Sequence, residues 1–209
     1  MKQINLNTWN RKEHFDFFSQ FKEPFFGIVA DVDCTKAYES VKNAGISFYA
    51  WYMHKSLLAV NTIPEFKCRI INQQPMVYDE VHVAGTTIRD DETFGFTFVP
   101  YSSDFNTFQN NLKSESQRVK VSSGLGLNDN TARVDVIHYS TLPWINFSSL
   151  THARSGVHPD SIPKITFGKA VLKNGIMMLP VAINVHHALM DGIHVNKFLE
   201  KFEELLNDV

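Results

Sequence analysis

The sequence predicts an α+β (mixed α/β) fold, a two-layer sandwich in which a mixed β-sheet is covered by helices. Three observations carry that prediction. Short apolar runs rich in Val and Ile are interspersed with longer stretches whose apolar residues recur every three or four positions. No linker, internal repeat or low-complexity segment divides the chain, so residues 1–209 read as a single domain. A length of 209 residues, with 44% hydrophobic and 20% charged, is ample for one substantial core.

The elements follow in order. Trp9-Asn10-Arg11-Lys12-Glu13-His14-Phe15 opens a helix, because Phe15, Phe18 and Phe21 or Phe25 recur at near-helical spacing; Pro24 and Gly27 bound it. Phe26–Val32 reads as a strand. Asp33-Cys34-Thr35 caps a helix over Thr35–Ala44 that Gly45 closes. Residues 47–62 are apolar nearly all round and read as a buried helix, ended by Ile63-Pro64. Phe66–Ile71 and Met76–Tyr78 form a hairpin-like pair around a Gln73-Gln74-Pro75 turn. Val81–Ile88 and Phe94–Val99 are further strands, and Pro100–Asp104 caps a helix over Phe105–Val119.

Residues 120–133 read as a loop, and Val134–Thr141 as a strand. Residues 148–163, with Gly156, Pro159 and Pro163, read as a second loop. Ile165–Leu172 and Ile176–Val185 pair around Lys173-Asn174-Gly175, an Asn-Gly hairpin signal. The last helix carries Val195, Phe198, Leu199, Phe202, Leu205 and Leu206 on one face and Lys197, Glu200, Lys201, Glu203 and Glu204 on the other.

Bulk properties exclude several function classes. A net charge of −2 without a basic block argues against nucleic acid. No run approaches ~20 apolar residues, so no membrane span is expected. The start Met1-Lys2-Gln3-Ile4-Asn5 has no signal-peptide pattern, and Cys34 and Cys68 show no motif spacing. A cytoplasmic protein with free thiols is the expectation. The 17 Phe are an unusual load, enough to fill a core and to line a pocket for an aromatic ligand.

Chemistry concentrates between the last strand and the last helix, in His186-His187-Ala188-Leu189-Met190-Asp191-Gly192. Imidazole is the side chain best suited to moving protons near neutral pH. A carboxylate four residues beyond His187 can anchor the strand-to-helix turn or orient a base. Adjacent strand-end residues point to opposite sides, so a base at His187 leaves His186 a structural role. His186, His187, Asp191 and His194 lack the spacing of a metal motif, and no metal is expected.

This segment resembles the His-His-x-x-x-Asp-Gly signature of the chloramphenicol acetyltransferases, found in variant form across the coenzyme A-dependent acyltransferases. Trp9-Asn10-Arg11-Lys12-Glu13-His14-Phe15 resembles the family's Trp-x-Arg-Lys/Arg-Glu-His-Phe. Tyr139-Ser140-Thr141-Leu142-Pro143-Trp144-Ile145-Asn146-Phe147 resembles its Ser-Ala-x-Pro-Trp-Val-x-Phe. Pro64-Glu65-Phe66, Glu92-Thr93-Phe94 and Pro100–Asp104 add weaker matches, so the likeness runs from Trp9 to Leu206. Residues 120–133 and 148–163 depart from the pattern.

The resemblance implies a coenzyme A-dependent acyltransferase fold and O-acetylation of chloramphenicol by acetyl-CoA, without an acyl-enzyme. It implies His187 as general base, Ser140 as donor to the oxyanion, and Asp191 paired with Arg11 as scaffold. Thr166 would hold a water near the reacting carbonyl. Phe17 and Phe18, with Phe25 and Phe26, would supply an acceptor pocket. The family is trimeric, which implies a homotrimer with sites at subunit boundaries. Other readings stay open: a related acyltransferase using another alcohol or an amine, or a ligand-binding protein on the same scaffold. A dihydrolipoamide acyltransferase core is disfavoured, since its motif has Asp-His-Arg where this chain has His186-His187-Ala188.

Overall fold

The computed structural model describes residues 1–155 and 160–209. Residues 156–159, within the second expected loop, lie outside the described residues. The strands are β1 (Lys2–Gln3), β2 (Phe25–Asp33), β3 (Cys68–Ile71), β4 (Gln74–Val77), β5 (His82–Ile88), β6 (Phe94–Val99), β7 (Val136–Thr141), β8 (Lys164–Phe167), β9 (Val171–Lys173) and β10 (Ile176–His186). The helices are α1 (Lys12–Phe18), α2 (Thr35–Asn43), α3 (Phe48–Thr62), α4 (Phe105–Lys120) and α5 (Gly192–Leu206).

The large sheet runs β2-β10-β8-β7-β5-β6, with β9 also paired to β10. It is mixed: β5–β7 and β7–β8 are parallel, and the other pairs are antiparallel. Alternation along the strands divides its residues between two faces. Val83, Ile137, Tyr139, Ile165, Phe167, Val181, Ile183 and Val185 enter one core with Leu57, Val60, Phe198 and Phe202 from α3 and α5. His138, Ser140, Lys164, Thr166, Ala182, Asn184 and His186 lie on the opposite face by register. Helix α3 is buried along nearly its whole length, as its composition predicts.

Several boundaries differ from the sequence reading, each for a local reason. Gly27 lies inside β2 opposite Asn184, so it does not bound α1; a Cβ there would sit 2.7 Å from Asn184 Oδ1. Phe66 and Lys67 belong to a 3₁₀ turn over Pro64–Lys67, and the strand begins at Cys68. The following turn falls at Asn72-Gln73, both at positive φ, while Gln74 and Pro75 lie in β4. Strands β1, β4 and β3 form a separate small sheet that the sequence reading did not separate out.

The expected Ile165–Leu172 strand is broken into β8 and β9. Pro180 faces this break: its carbonyl accepts the Gly168 N–H at 2.9 Å, and on the same side it has no N–H to give. A Cβ at Gly168 would meet Pro180 Cγ at 2.7 Å and the Ile145 carbonyl at 2.8 Å, so only glycine passes here unhindered. The β9–β10 hairpin turns at Asn174-Gly175, both at positive φ, as the dipeptide predicts.

Arg69 joins the two sheets. It is 1% exposed, and its guanidinium donates to the carbonyls of Phe66, Cys68, Val134 and Val136. Both cysteines are buried free thiols, and burial pushes Cys34 up to about 12 and Cys68 up to about 11.

Candidate active site

Strand β10 delivers His186 and His187 to the mouth of a tight turn. The His187 N–H donates to the Pro24 carbonyl (2.8 Å), and the N–H groups of Leu189 and Met190 return to the His186 carbonyl. His186 turns inward. It is 6% exposed, accepts the Ala188 N–H at Nδ1 (3.2 Å), and meets Phe25 edge-on. Burial lowers its pKa to about 4, which keeps it neutral.

The His187 ring stacks on Phe18 with centroids 4.0 Å apart and abuts Phe26 at 4.7 Å. Its Nδ1 lies 3.3 Å from the Met190 carbonyl and 3.1 Å from Asp191 Oδ1. Both partners accept only, so Nδ1 carries the proton and Nε2 keeps the basic lone pair. Nε2 is the nitrogen of this ring that can take up a proton.

Asp191 is the N-cap of α5 and faces Arg11 from the loop before α1. Arg11 Nη1 bonds Asp191 Oδ2, while Nη2 reaches Asp191 Oδ1 at 3.2 Å and the His187 carbonyl at 3.1 Å. The hydrogen-bonded Arg11 guanidinium holds the Asp191 carboxyl below the usual carboxylate range. One guanidinium therefore ties the carboxylate to the main chain of His187.

Phe17, Phe18 and Phe21 form a mutual ring cluster with centroids 5.1–5.2 Å apart, and Phe17 is 59% exposed. Of the four phenylalanines expected to serve a pocket, Phe18 and Phe26 touch His187, and Phe17 adjoins it through Phe18. Phe25 does not join them. It lies on the other side of β2, against His186 and under the Arg154 guanidinium, 3.6 Å from the ring centre.

Ser140 and Thr166 are neighbours across the parallel β7–β8 pair, and Thr166 lies opposite Ala182 on β10. Thr166 is 1% exposed, and among the described residues its Oγ1 has no hydrogen-bond partner. Ala182 precedes His187 by five residues, a separation of roughly 17 Å along an antiparallel strand. Within one chain, then, Ser140 and Thr166 are not brought to His187. Among the described residues, no three His, Cys, Asp or Glu side chains gather as a metal ion would require. The sequence reading missed one pair, His194 and Glu65, which backs the Asp191 turn. Its signal was a His three residues after an N-cap Asp, where capping boxes usually carry Glu or Gln.

A solved chloramphenicol acetyltransferase superposes with a TM-score of 0.90, at 31% identity over 99% of this chain and 100% of its own. The dihydrolipoamide acetyltransferase of Azotobacter vinelandii shares the fold at 14% identity, with a TM-score of 0.66 over 88% of this chain and 82% of its own. The protein is an acyltransferase of the coenzyme A-dependent fold. The family model for chloramphenicol acetyltransferase matches residues 1–203. Chloramphenicol acetyltransferase 3 of Escherichia coli is 30% identical over 98% of this chain and 96% of its own length. The chloramphenicol acetyltransferase of Clostridioides difficile is 30% identical over 98% and 95%. The chain belongs to the chloramphenicol acetyltransferase family.

Proposed function

We propose that the protein transfers acetyl from acetyl-CoA to a hydroxyl of chloramphenicol, directly and within a ternary complex. The observation that carries this reading is the fixed tautomer of His187. Acceptors hold its Nδ1–H, and Nε2 stands beside an aromatic cluster suited to an aryl alcohol. Nε2 takes the hydroxyl proton as the oxygen attacks the thioester carbonyl. The hydroxyl of Ser140 donates to the oxygen that becomes negative. Thr166, whose buried hydroxyl lacks a partner among the described residues, fits a water or substrate atom at the same place. The coenzyme A thiolate then leaves and recovers the proton from the imidazolium. Arg11 and Asp191 position the base, and Phe17 and Phe18 wall the acceptor.

The proposed enzyme is a homotrimer in which His187 of one chain meets Ser140 and Thr166 of another. Their separation within one chain supports that arrangement. Each chain is a single acetyltransferase domain, working in the cytoplasm, where buried free thiols such as Cys34 and Cys68 persist. The test is to mix the protein with acetyl-CoA and chloramphenicol and follow thiol release, alongside other alcohols and amines. His187→Ala should stay folded and lose turnover by several orders of magnitude. Retained turnover in that variant removes the mechanism. Turnover only with other acceptors moves the substrate.

A further inference from the structure

We infer that His194 and Glu65 are positioning residues for the base, acting through the main chain of Asp191. The inference rests on the reading of His187 as the base. His194 is the third residue of α5, and it is 9% exposed. Its Nδ1 accepts the Asp191 N–H at 2.9 Å, and its Nε2 lies 3.4 Å from Glu65 Oε1. An Nδ1 that accepts must hold a lone pair, so the ring proton sits on Nε2 and points at the Glu65 carboxylate. The tautomer is thereby fixed from both ends, and burial, which lowers the His194 pKa, favours the neutral ring this requires.

Glu65 belongs to the 3₁₀ turn Pro64–Lys67, which is anchored by Phe66. Phe66 is fully buried and packs against Phe198 of α5, with ring centroids 5.2 Å apart. The relay thus runs from a core-anchored turn, through His194, to the Asp191 backbone. From there the Asp191 carboxylate reaches both Arg11 and His187. A shift of the Asp191 main chain would swing that carboxylate and loosen the His187 ring, and small misplacements of a catalytic group lower rate steeply.

The test reads the His187 ring directly, by ¹⁵N-histidine NMR, beside steady-state kinetics with acetyl-CoA and chloramphenicol. In the parent protein His187 should be mainly the Nδ1–H tautomer. His194→Ala should raise its Nε2–H fraction and lower kcat about 10- to 100-fold, with little change in either KM. His194→Asn, whose amide oxygen can replace Nδ1 as acceptor, should restore most of both. Glu65→Ala should act in the same direction as His194→Ala, and Glu65→Gln less. Should His194→Ala not fold, Glu65→Ala carries the test, since the Glu65 side chain is 28% exposed. An unchanged His187 tautomer in a folded variant, or no rescue by His194→Asn, overturns the inference. A tautomer shift in a protein that transfers no acetyl group would leave the positioning role standing and sink the acetyltransfer reading.

Discussion

Replacing Arg11 by Met keeps much of the apolar stem and removes the charge that faces Asp191. Three contacts disappear: two to the Asp191 carboxylate and one to the His187 carbonyl. Stranding one partner of a fully buried ion pair costs about 3–5 kcal/mol, whereas an exposed pair contributes about 0–1 kcal/mol. Side-chain exposures of 9% for Arg11 and 31% for Asp191 put this pair nearer the buried limit, with water reaching one side. The expected loss is about 2–4 kcal/mol. For a chain of this size that lowers the melting temperature by roughly 6–12 °C, measured by calorimetry at matched protein concentration.

The pH dependence fixes the cause. Arg11 depresses the Asp191 pKa, so the pair's contribution is fully present above the unfolded carboxyl value of about 3.9. It is lost as pH falls through the lower, folded value. The gap between parent and Arg11→Met should be flat from about pH 5 to 8 and shrink below pH 4. A gap under about 2 °C at neutral pH, or one as wide at pH 3.5 as at pH 7, would refute the reasoning.

Two further substitutions separate chemistry from folding. Ser140→Ala should lower kcat on the order of a hundredfold and leave the melting temperature unchanged, and parent-like turnover would remove Ser140 from the oxyanion role. Thr166→Val should be neutral or slightly stabilising, because the hydroxyl it removes is buried without a partner among the described residues, yet activity should drop. A destabilised Thr166→Val would show that the hydroxyl serves the fold instead.

The parts of the fold legible from sequence were those where one residue forces one backbone state. Asn174-Gly175 supplies positive φ readily, so its hairpin is legible, although Lys173, expected in the turn, closes β9. Asn72-Gln73 makes the same kind of turn with a weaker signal, and with Pro75 nearby the sequence places the turn at Gln73-Gln74-Pro75, starting one residue late. Pro180 lies inside a strand, as the apolar run around it predicts. Its consequence was invisible until the partner strand was known, because a missing N–H matters only for the neighbour it faces. In the site, the spacing of His187 and Asp191 and the match at Arg11 pointed to residues that the structure gathers at one corner. What spacing could not give was which side of β2 each phenylalanine occupies. Phe25 and Phe26 are consecutive along the strand, and that puts them on opposite faces.

The join made by Arg69 differs in kind from the corner that holds His187. Its acceptors are four neutral peptide oxygens, none of which titrates. Only acid strong enough to protonate Asp191, which Arg11 holds below the usual carboxylate range, discharges the carboxylate beside the imidazole, and it leaves these four acceptors unchanged. The molecule thus has a proton-sensitive tie at the His187 corner and, between its sheets, a tie whose acceptors take up no protons.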